Sequence, residues 1–161
     1  MSNLNRNEII IDGIKLNTTI EAERRILGSF SETLLLKLLI NNGINVKYMN
    51  ENTKFNQYDF LIRGKDGTKY ILELKSRLSH ISNHTIEIID YKKISYYKHL
   101  KNIIPIFIFL HYEDEDKFKF YYYIIDDYEK LKQDCFFNDK FNYYELPTRL
   151  VKDINELLEI I

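Results

Sequence analysis

The sequence has little of several features that define common protein classes. Among its 161 residues there is one cysteine, Cys135, with two prolines and no tryptophan. A single cysteine excludes a disulfide framework and a cysteine-built zinc site. We therefore expect a reducing, intracellular setting, in which Cys135 acts as a small core hydrophobe.

No stretch of the sequence is long and apolar enough to predict a membrane span. The longest apolar run, residues 103–110, is far below the ~18 residues that cross a bilayer. The first part of the chain carries Glu8, Asp12, Glu21 and Glu23 among short apolar clusters, which is not typical of a signal or transit peptide. We expect a soluble protein with no membrane partner.

The sequence also lacks an excess of charge of either sign. Lysine and arginine number 23 and aspartate and glutamate 24, for a net charge of -1, which excludes a protein that coats nucleic acid by bulk attraction. Contact with nucleic acid would need a local patch, and residues 69–101 supply one. A solvated charged face explains this patch equally well. Its basic residues are Lys69, Lys75, Arg77, Lys92, Lys93, Lys98 and Lys101.

What is present is enough apolar sequence to bury one core. With 45% hydrophobic residues, a chain of this length fits one globular domain. We predict a single domain made of an N-terminal hairpin (1–17), a core (18–111) and a C-terminal strand and helix extension (112–161).

Periodicity and turn residues predict the elements. Thr18 and Glu21 form a capping box for an amphipathic helix that ends at Gly43, with an interruption at Gly28-Ser29 left open. Residues 76–84 are predicted to be irregular. Helices are predicted at 91–102 and 148–161, and strands at 8–11, 14–16, 44–49, 58–63, 69–75, 85–89, 105–111 and 118–126. This order indicates an α/β fold around a mixed central sheet.

Turn chemistry predicts the register of one hairpin. The loop 65–67 suits a three-residue connection closed by Gly67 in the left-handed conformation. If Gly64 then pairs with Thr68, Asp59 lies across from Glu73, on one face of the sheet with Lys75. A two-residue turn would instead send the two carboxylates to opposite faces.

Two carboxylates held this close repel each other unless a cation lies between them. Mg²⁺ meets this need, because it takes oxygen ligands and uses one or two carboxylates; Mn²⁺ would be a substitute. Lys75 could orient the attacking water or help to deprotonate it. The plain alternative is a structural α/β protein whose charges form a cross-strand salt bridge worth ~0.5 kcal/mol.

Asp59, followed by Glu73-Leu74-Lys75, resembles the signature of the PD-(D/E)XK nuclease superfamily. The resemblance implies a restriction-endonuclease-like α-β-β-β-α-β core and a magnesium-dependent DNA endonuclease. It also implies that Asp59, Glu73 and the Leu74 carbonyl hold the metal while Lys75 assists catalysis. Tyr58 replaces the family's usual proline, which is not a ligand.

A second motif is similar to the first helix of archaeal Holliday-junction resolvases. It consists of residues 28–32, Gly-Ser-Phe-Ser-Glu, with Gly43 eleven positions after Glu32. The resemblance implies that Glu32 joins the metal site. Ser29 and Glu32 also satisfy a capping box, which explains them equally well. Those resolvases are strongly basic, whereas this chain is near neutral.

The superfamily's second helix often presents a lysine with aromatic neighbours to the scissile phosphate. The resemblance assigns that role to Lys93 and implies nucleic-acid contacts for Arg77, Lys92 and Tyr97. A lysine-rich exposed helix face is an equal explanation. The alternative function is a catalytically inactive nuclease-fold module that binds nucleic acid or a protein. The closing helix could also form a homodimer, although core packing explains its apolar residues equally well.

Overall fold

Helices and strands build a mixed α/β fold around a central sheet. The computed structural model describes residues 8–11, 14–17, 20–49, 58–80, 85–114 and 117–161, with side chains for 31–49, 58–76, 85–111 and 119–161. Within these residues the helices are α1 (Ile20–Asn41), α2 (Tyr91–Lys98), α3 (Tyr128–Asp134) and α4 (Ile154–Ile160). None of these described helices combines the length and apolar composition that a bilayer crossing requires.

The described strands form three sheets. They are β1 (Glu8–Ile11), β2 (Ile14–Asn17), β3 (Asn45–Tyr48), β4 (Phe60–Arg63), β5 (Lys69–His80), β6 (Ile86–Asp90), β7 (Ile103–Asp114), β8 (Lys117–Ile124), β9 (Phe136–Asn138), β10 (Tyr143–Pro147) and β11 (Lys152–Asp153). The six-stranded central sheet has the order β11-β8-β7-β5-β4-β3 among the described strands. β5 and β7 run parallel and the other pairs antiparallel, so the predicted mixed α/β sheet is confirmed. β1 pairs with β2, and β6-β10-β9 form a small second sheet.

Two apolar cores cover the two faces of the central sheet. Because strand side chains alternate, Leu72 faces one core while Ile71 faces the other. The first core lies under α1 and α4 and contains Leu35, Leu39, Phe60, Ile62, Tyr70, Leu72, Ile106, Ile108, Tyr122, Ile154, Leu157 and Ile161. The second core lies under α2, α3 and the small sheet and contains Ile71, Ile89, Ile94, Tyr97, Phe107, Phe109, Tyr123, Ile125, Leu131, Cys135, Tyr144 and Leu146.

The β4–β5 hairpin has the predicted register. Gly64 N–H donates to the Thr68 carbonyl at 2.8 Å, and Gly67 N–H donates to the Gly64 carbonyl at 3.0 Å. Gly67 adopts φ +87°, a left-handed conformation that costs glycine little. Phe60 consequently lies opposite Leu72, as the three-residue loop requires. The regular ladder ends at this pair.

Helix α1 is continuous, so the interruption left open at Gly28-Ser29 does not occur. Its end was predicted correctly: Gly43 has φ +71° and donates to the Ile40 carbonyl, while Ile44 N–H donates to the Leu39 carbonyl, both at 3.0 Å. These two bonds form the Schellman motif that glycine favours after a helix. The predicted capping residue Thr18 lies outside the described residues.

Two predicted boundaries were wrong. Residues 76–80 are not irregular, because β5 continues to His80 beside β7, with a register shift between Ser76 and His80. Helix α2 has Asp90 as its N-cap but ends at Lys98 rather than at 102. Its last turn closes through the N–H groups of His99 and Leu100.

The closing region is not the single helix predicted for 148–161. A 3-10 turn at Thr148–Leu150 is followed by β11, which pairs with β8, and then by α4. Asp153 starts α4 by accepting a hydrogen bond from the Asn155 N–H at 2.9 Å. Helix α3 and strands β9 and β10 were not predicted, and the strand predicted at 85–89 belongs to the small sheet.

Candidate active site

The predicted charges lie at the open end of the β4–β5 hairpin, away from its turn. Asp59 N–H donates to the Leu72 carbonyl at 2.9 Å, and its Oδ2 accepts a hydrogen bond from the Leu74 N–H at 2.8 Å. The ladder therefore stops before the Asp59–Glu73 pair that the sequence predicted. The Asp59 carboxylate takes the place of a strand neighbour and is held against β5.

Glu73 is the buried carboxylate of the site, with 7% of its surface exposed. Lys93 of α2 donates to its Oε1, and Lys75 Nζ lies 3.9 Å from the same oxygen. Oε2 is buried and has no hydrogen-bond partner among the described atoms. A buried carboxylate oxygen without a partner costs free energy, which a bound ligand would recover.

The surroundings of Glu73 disfavour the charged form of its carboxyl. Burial raises the pKa of its carboxyl above the ordinary 4.5, and the negative charge of Asp59 raises it further. Lys93 and Lys75 lower the pKa without cancelling these effects. Asp59 and Glu73 are therefore close enough to repel each other, as the hairpin register led us to expect.

Tyr97 forms the floor of the site rather than a contact surface. Its side chain is 1% exposed and its ring packs 6.0 Å from that of Phe107 between centroids. Burial raises the pKa of its hydroxyl, and the charges of Glu73 and Asp59 raise it further. The ring has almost no free surface for the nucleic-acid contact that the sequence led us to expect, so its interaction is with Glu73.

The Leu74 backbone faces the site through its N–H, which Asp59 accepts. In an extended strand the N–H and C=O of one residue point to the same side. The Leu74 carbonyl therefore lies at the same edge of β5 as the Asp59 carboxylate. The family resemblance implies that this carbonyl is a metal ligand.

Glu32 is not brought beside Asp59 and Glu73. The Tyr48 hydroxyl donates to Glu32 Oε2, and Ser31 Oγ lies 2.7 Å from Ser76 Oγ, which fixes α1 to β5. Helix α1 covers the first core, whereas Glu73 and Ile71 share the opposite face of β5. Within the described residues, no group of three histidine, cysteine or carboxylate side chains could hold a metal.

A groove that the sequence analysis missed opens beside Lys75. It has a volume of about 670 Å³, and its lining includes Lys75, Lys92, Asp90, Phe141 and Tyr143. The signal for it was the density of aromatic residues in 136–144, beside the turn residues Asn138-Asp139. The predicted contact Lys92 therefore lies in the same groove as Lys75. Arg77, also predicted, lies outside the described side chains.

A buried hydrogen-bonded pair joins the small sheet to the central sheet. His111 Nε2 of β7 bonds to Glu87 Oε1 of β6, and their side chains are 0% and 1% exposed. His111 also stands edge-on to Tyr121, with ring centroids 6.0 Å apart. This pair connects the strand that precedes α2 to the middle of the fold.

No protein-family model matches the chain, and no curated protein matches it. The functional assignment therefore depends on the geometry and chemistry of the site itself.

Proposed function

We propose that the protein is a magnesium-dependent nuclease that hydrolyses phosphodiester bonds in DNA as an endonuclease. The observation that carries the proposal is the buried Glu73 Oε2, which has no hydrogen-bond partner among the described atoms. Burial raises the pKa of this carboxyl, and the charge of Asp59 raises it further. Lys75 stands 3.9 Å from the other Glu73 oxygen.

The residues present fit Mg²⁺. This cation takes oxygen ligands and is held in nucleotide-processing sites by one or two carboxylates together with substrate phosphate. Asp59, Glu73 and the Leu74 carbonyl would hold it. Glu32, the accessory ligand that the family resemblance implies, lies on the α1 side of β5 beside Tyr48 and is not counted among them. When bound, Mg²⁺ supplies Lewis-acid polarisation of a phosphoryl oxygen.

Each remaining residue has a role that its position allows. Lys75 donates to the attacking water or helps to take its proton, and offsets charge as the transition state forms. Lys93 holds Glu73 by Oε1, which leaves the buried Oε2 for a ligand. Lys93 is therefore a positioning residue for Glu73 and a cation for the phosphate.

The order of the elements supports the proposal. The chain runs α1, β3, β4, β5, α2 and β7, with β6 inserted before α2. Apart from that insertion, this is the α-β-β-β-α-β order that the family resemblance implies. The two lysines balance the two carboxylates in charge, so a divalent cation would bind best together with an anionic phosphodiester.

Cleavage assays with matched variants test the proposal. We expect Asp59→Asn and Lys75→Ala each to lower the rate of Mg²⁺-dependent DNA cleavage by about 100-fold or more. Asp66→Asn and Lys69→Ala are the controls: Asp66 also accepts a backbone N–H, at 2.9 Å, and Lys69 lies on β5 at the turn end. Plasmid, single-stranded and branched DNA should all be assayed. Equal rates in the wild type and the site variants would refute the nuclease.

A second candidate is a catalytically inactive nuclease-fold module that binds nucleic acid or a protein. The Lys93–Glu73 bond favours it, because an ammonium already neutralises the carboxylate that a metal would need. Calorimetric titration with Mg²⁺ separates the two functions. The nuclease predicts binding heat that Asp59→Asn abolishes, and the module predicts no heat at millimolar Mg²⁺ in either protein.

A further inference from the structure

The groove beside Lys75 combines exposed aromatic surface with positive charge. Phe141 and Tyr143 are stacked, with ring centroids 6.0 Å apart and planes 10° from parallel. The Phe141 side chain remains 62% exposed. Lys75 and Lys92 line the same groove, so a ligand that contacts the aromatic pair also reaches the proposed catalytic lysine.

The stacked pair is held in position by the turn between β9 and β10. Asn138 Oδ1 accepts a hydrogen bond from the Phe141 N–H at 3.2 Å, and Asn142 N–H donates to the Asn138 carbonyl at 2.8 Å. Tyr91 N–H, at the start of α2, donates to the Asn142 carbonyl at 3.3 Å. Since the turn is fixed to both β9 and α2, its ring surface is preorganised for a ligand.

We propose that this groove binds an unpaired stretch of nucleic acid. One base stacks on Phe141, Lys92 holds the adjoining phosphate, and the strand continues towards Lys75. This inference rests on the proposed nuclease function and names the substrate class of that site. Aromatic rings beside basic side chains are how proteins bind single strands. In a duplex the faces of the bases are already covered by their neighbours, so Phe141 would find no partner there.

The charges near the groove fit this occupant. Lys140 Nζ lies 5.3 Å from the Phe141 ring centroid, but an exposed cation–π contact is weaker than the stacking of a base, which would displace it towards a phosphate. Asp90 is the acidic residue in the lining, and its carboxylate accepts the Lys92 N–H at 2.8 Å.

Fluorescence anisotropy in EDTA measures binding without cleavage. The probes are a labelled single-stranded oligonucleotide of about 12 nucleotides, as DNA and as RNA, and the matching blunt duplex. We expect Phe141→Ala to weaken single-strand binding by roughly tenfold and Phe141→Trp to restore it. Phe136→Ala is the matched control, because Phe136 is 67% exposed and is not part of this lining.

The salt dependence of the same binding tests the phosphate contact. Loss of one phosphate contact reduces the slope of log affinity against log salt by about 0.7 for a single strand. We expect this change for Lys92→Gln and no change for Lys130→Gln, an exposed lysine on α3.

The outcomes distinguish this inference from the nuclease proposal. Three results would each overturn the inference. They are equal affinity of Phe141→Ala and Phe136→Ala, a duplex bound as tightly as the single strand, and no binding of any oligonucleotide. The last result would leave the groove to a protein partner. Single-strand binding that depends on Phe141, without any cleavage, would support binding in the groove and refute the nuclease proposal. Cleavage that requires Asp59 but does not change in Phe141→Ala would support the nuclease proposal and refute binding in the groove.

Discussion

The Glu73 carboxylate is buried beside a second carboxylate, and both conditions raise its pKa above 4.5. Perturbed pKa values of this kind occur at functional sites, although structural ion pairs produce them too. The buried Oε2 makes the difference at this position, because it has no hydrogen-bond partner among the described atoms while Lys93 bonds to Oε1. We therefore interpret the strain on this residue as a feature that a ligand relieves.

The raised pKa makes a prediction for the pH dependence of metal binding. A carboxyl must lose its proton to hold a cation, and a raised pKa means that Glu73 gains a proton at a higher pH than an ordinary glutamate. We expect Mg²⁺ affinity, measured by calorimetry from about pH 8 down to about pH 3.5, to fall as pH drops through a value above 4.5. Glu73→Gln should bind weakly with no such transition. A wild-type transition at or below 4.5 would contradict this account.

At the scale of elements, the turn of the β4–β5 hairpin places the site. A Cβ at Gly67 would meet nothing within 4 Å, so the cost of a side chain there comes from its φ of +87° alone. We expect Gly67→Ala to lower the free energy of unfolding by about 1 to 2 kcal/mol and Gly67→Asn by less. Urea denaturation measures both. Equal stability of Gly67→Ala and the wild type would show that the turn tolerates another conformation.

The buried Glu87–His111 pair should stabilise the attachment of the small sheet. Truncation of Glu87 removes a buried hydrogen bond from His111, at a cost of about 1 to 3 kcal/mol. We expect a loss of this size for Glu87→Ala in urea denaturation. The exposed Glu129–Lys132 pair is the control, and Glu129→Ala should change stability little. Similar losses for the two variants would mean that burial does not set the strength of the Glu87–His111 pair.

At the scale of the whole molecule, Cys135 reports on opening of the second core. Burial raises the pKa of its thiol to about 12, so the thiol stays protonated and unreactive at neutral pH. We expect labelling by a thiol reagent at about pH 8 to be slow in the folded protein and fast in denaturant. A folded-state rate equal to that of the unfolded chain would show that the second core does not protect this residue.

Local chemistry explains which parts of the fold were predictable. Gly67 fixed the hairpin register, Gly43 ended α1 and Asp90 capped α2. Each of these depends on residues close together in sequence. The small sheet does not, because β6 pairs with β10, whose residues lie more than fifty positions away.

The helix predicted for residues 148–161 was wrong for a similar reason. Its apolar spacing is helical, but Lys152 and Asp153 pair with β8 instead, and Asp153 then caps a shorter helix. The groove was missed because Phe141 and Lys75 are far apart in sequence. The pairing of β10 with β6 brings them into the lining of one groove. Glu32 was predicted to be a metal ligand from a motif of neighbouring residues. That motif carries no information about Tyr48, whose hydroxyl bonds to the Glu32 carboxylate.

The central claim is that Asp59 and Glu73 hold a divalent cation, and anomalous scattering from a crystal soaked in Mn²⁺ tests it most directly. The account predicts an anomalous peak within bonding distance of Asp59, Glu73 Oε2 and the Leu74 carbonyl. The hydrogen bond from Lys93 to Glu73 Oε1 should remain. Lys75 should stand beside the peak without bonding to it. No peak at this position at millimolar Mn²⁺ would contradict the account.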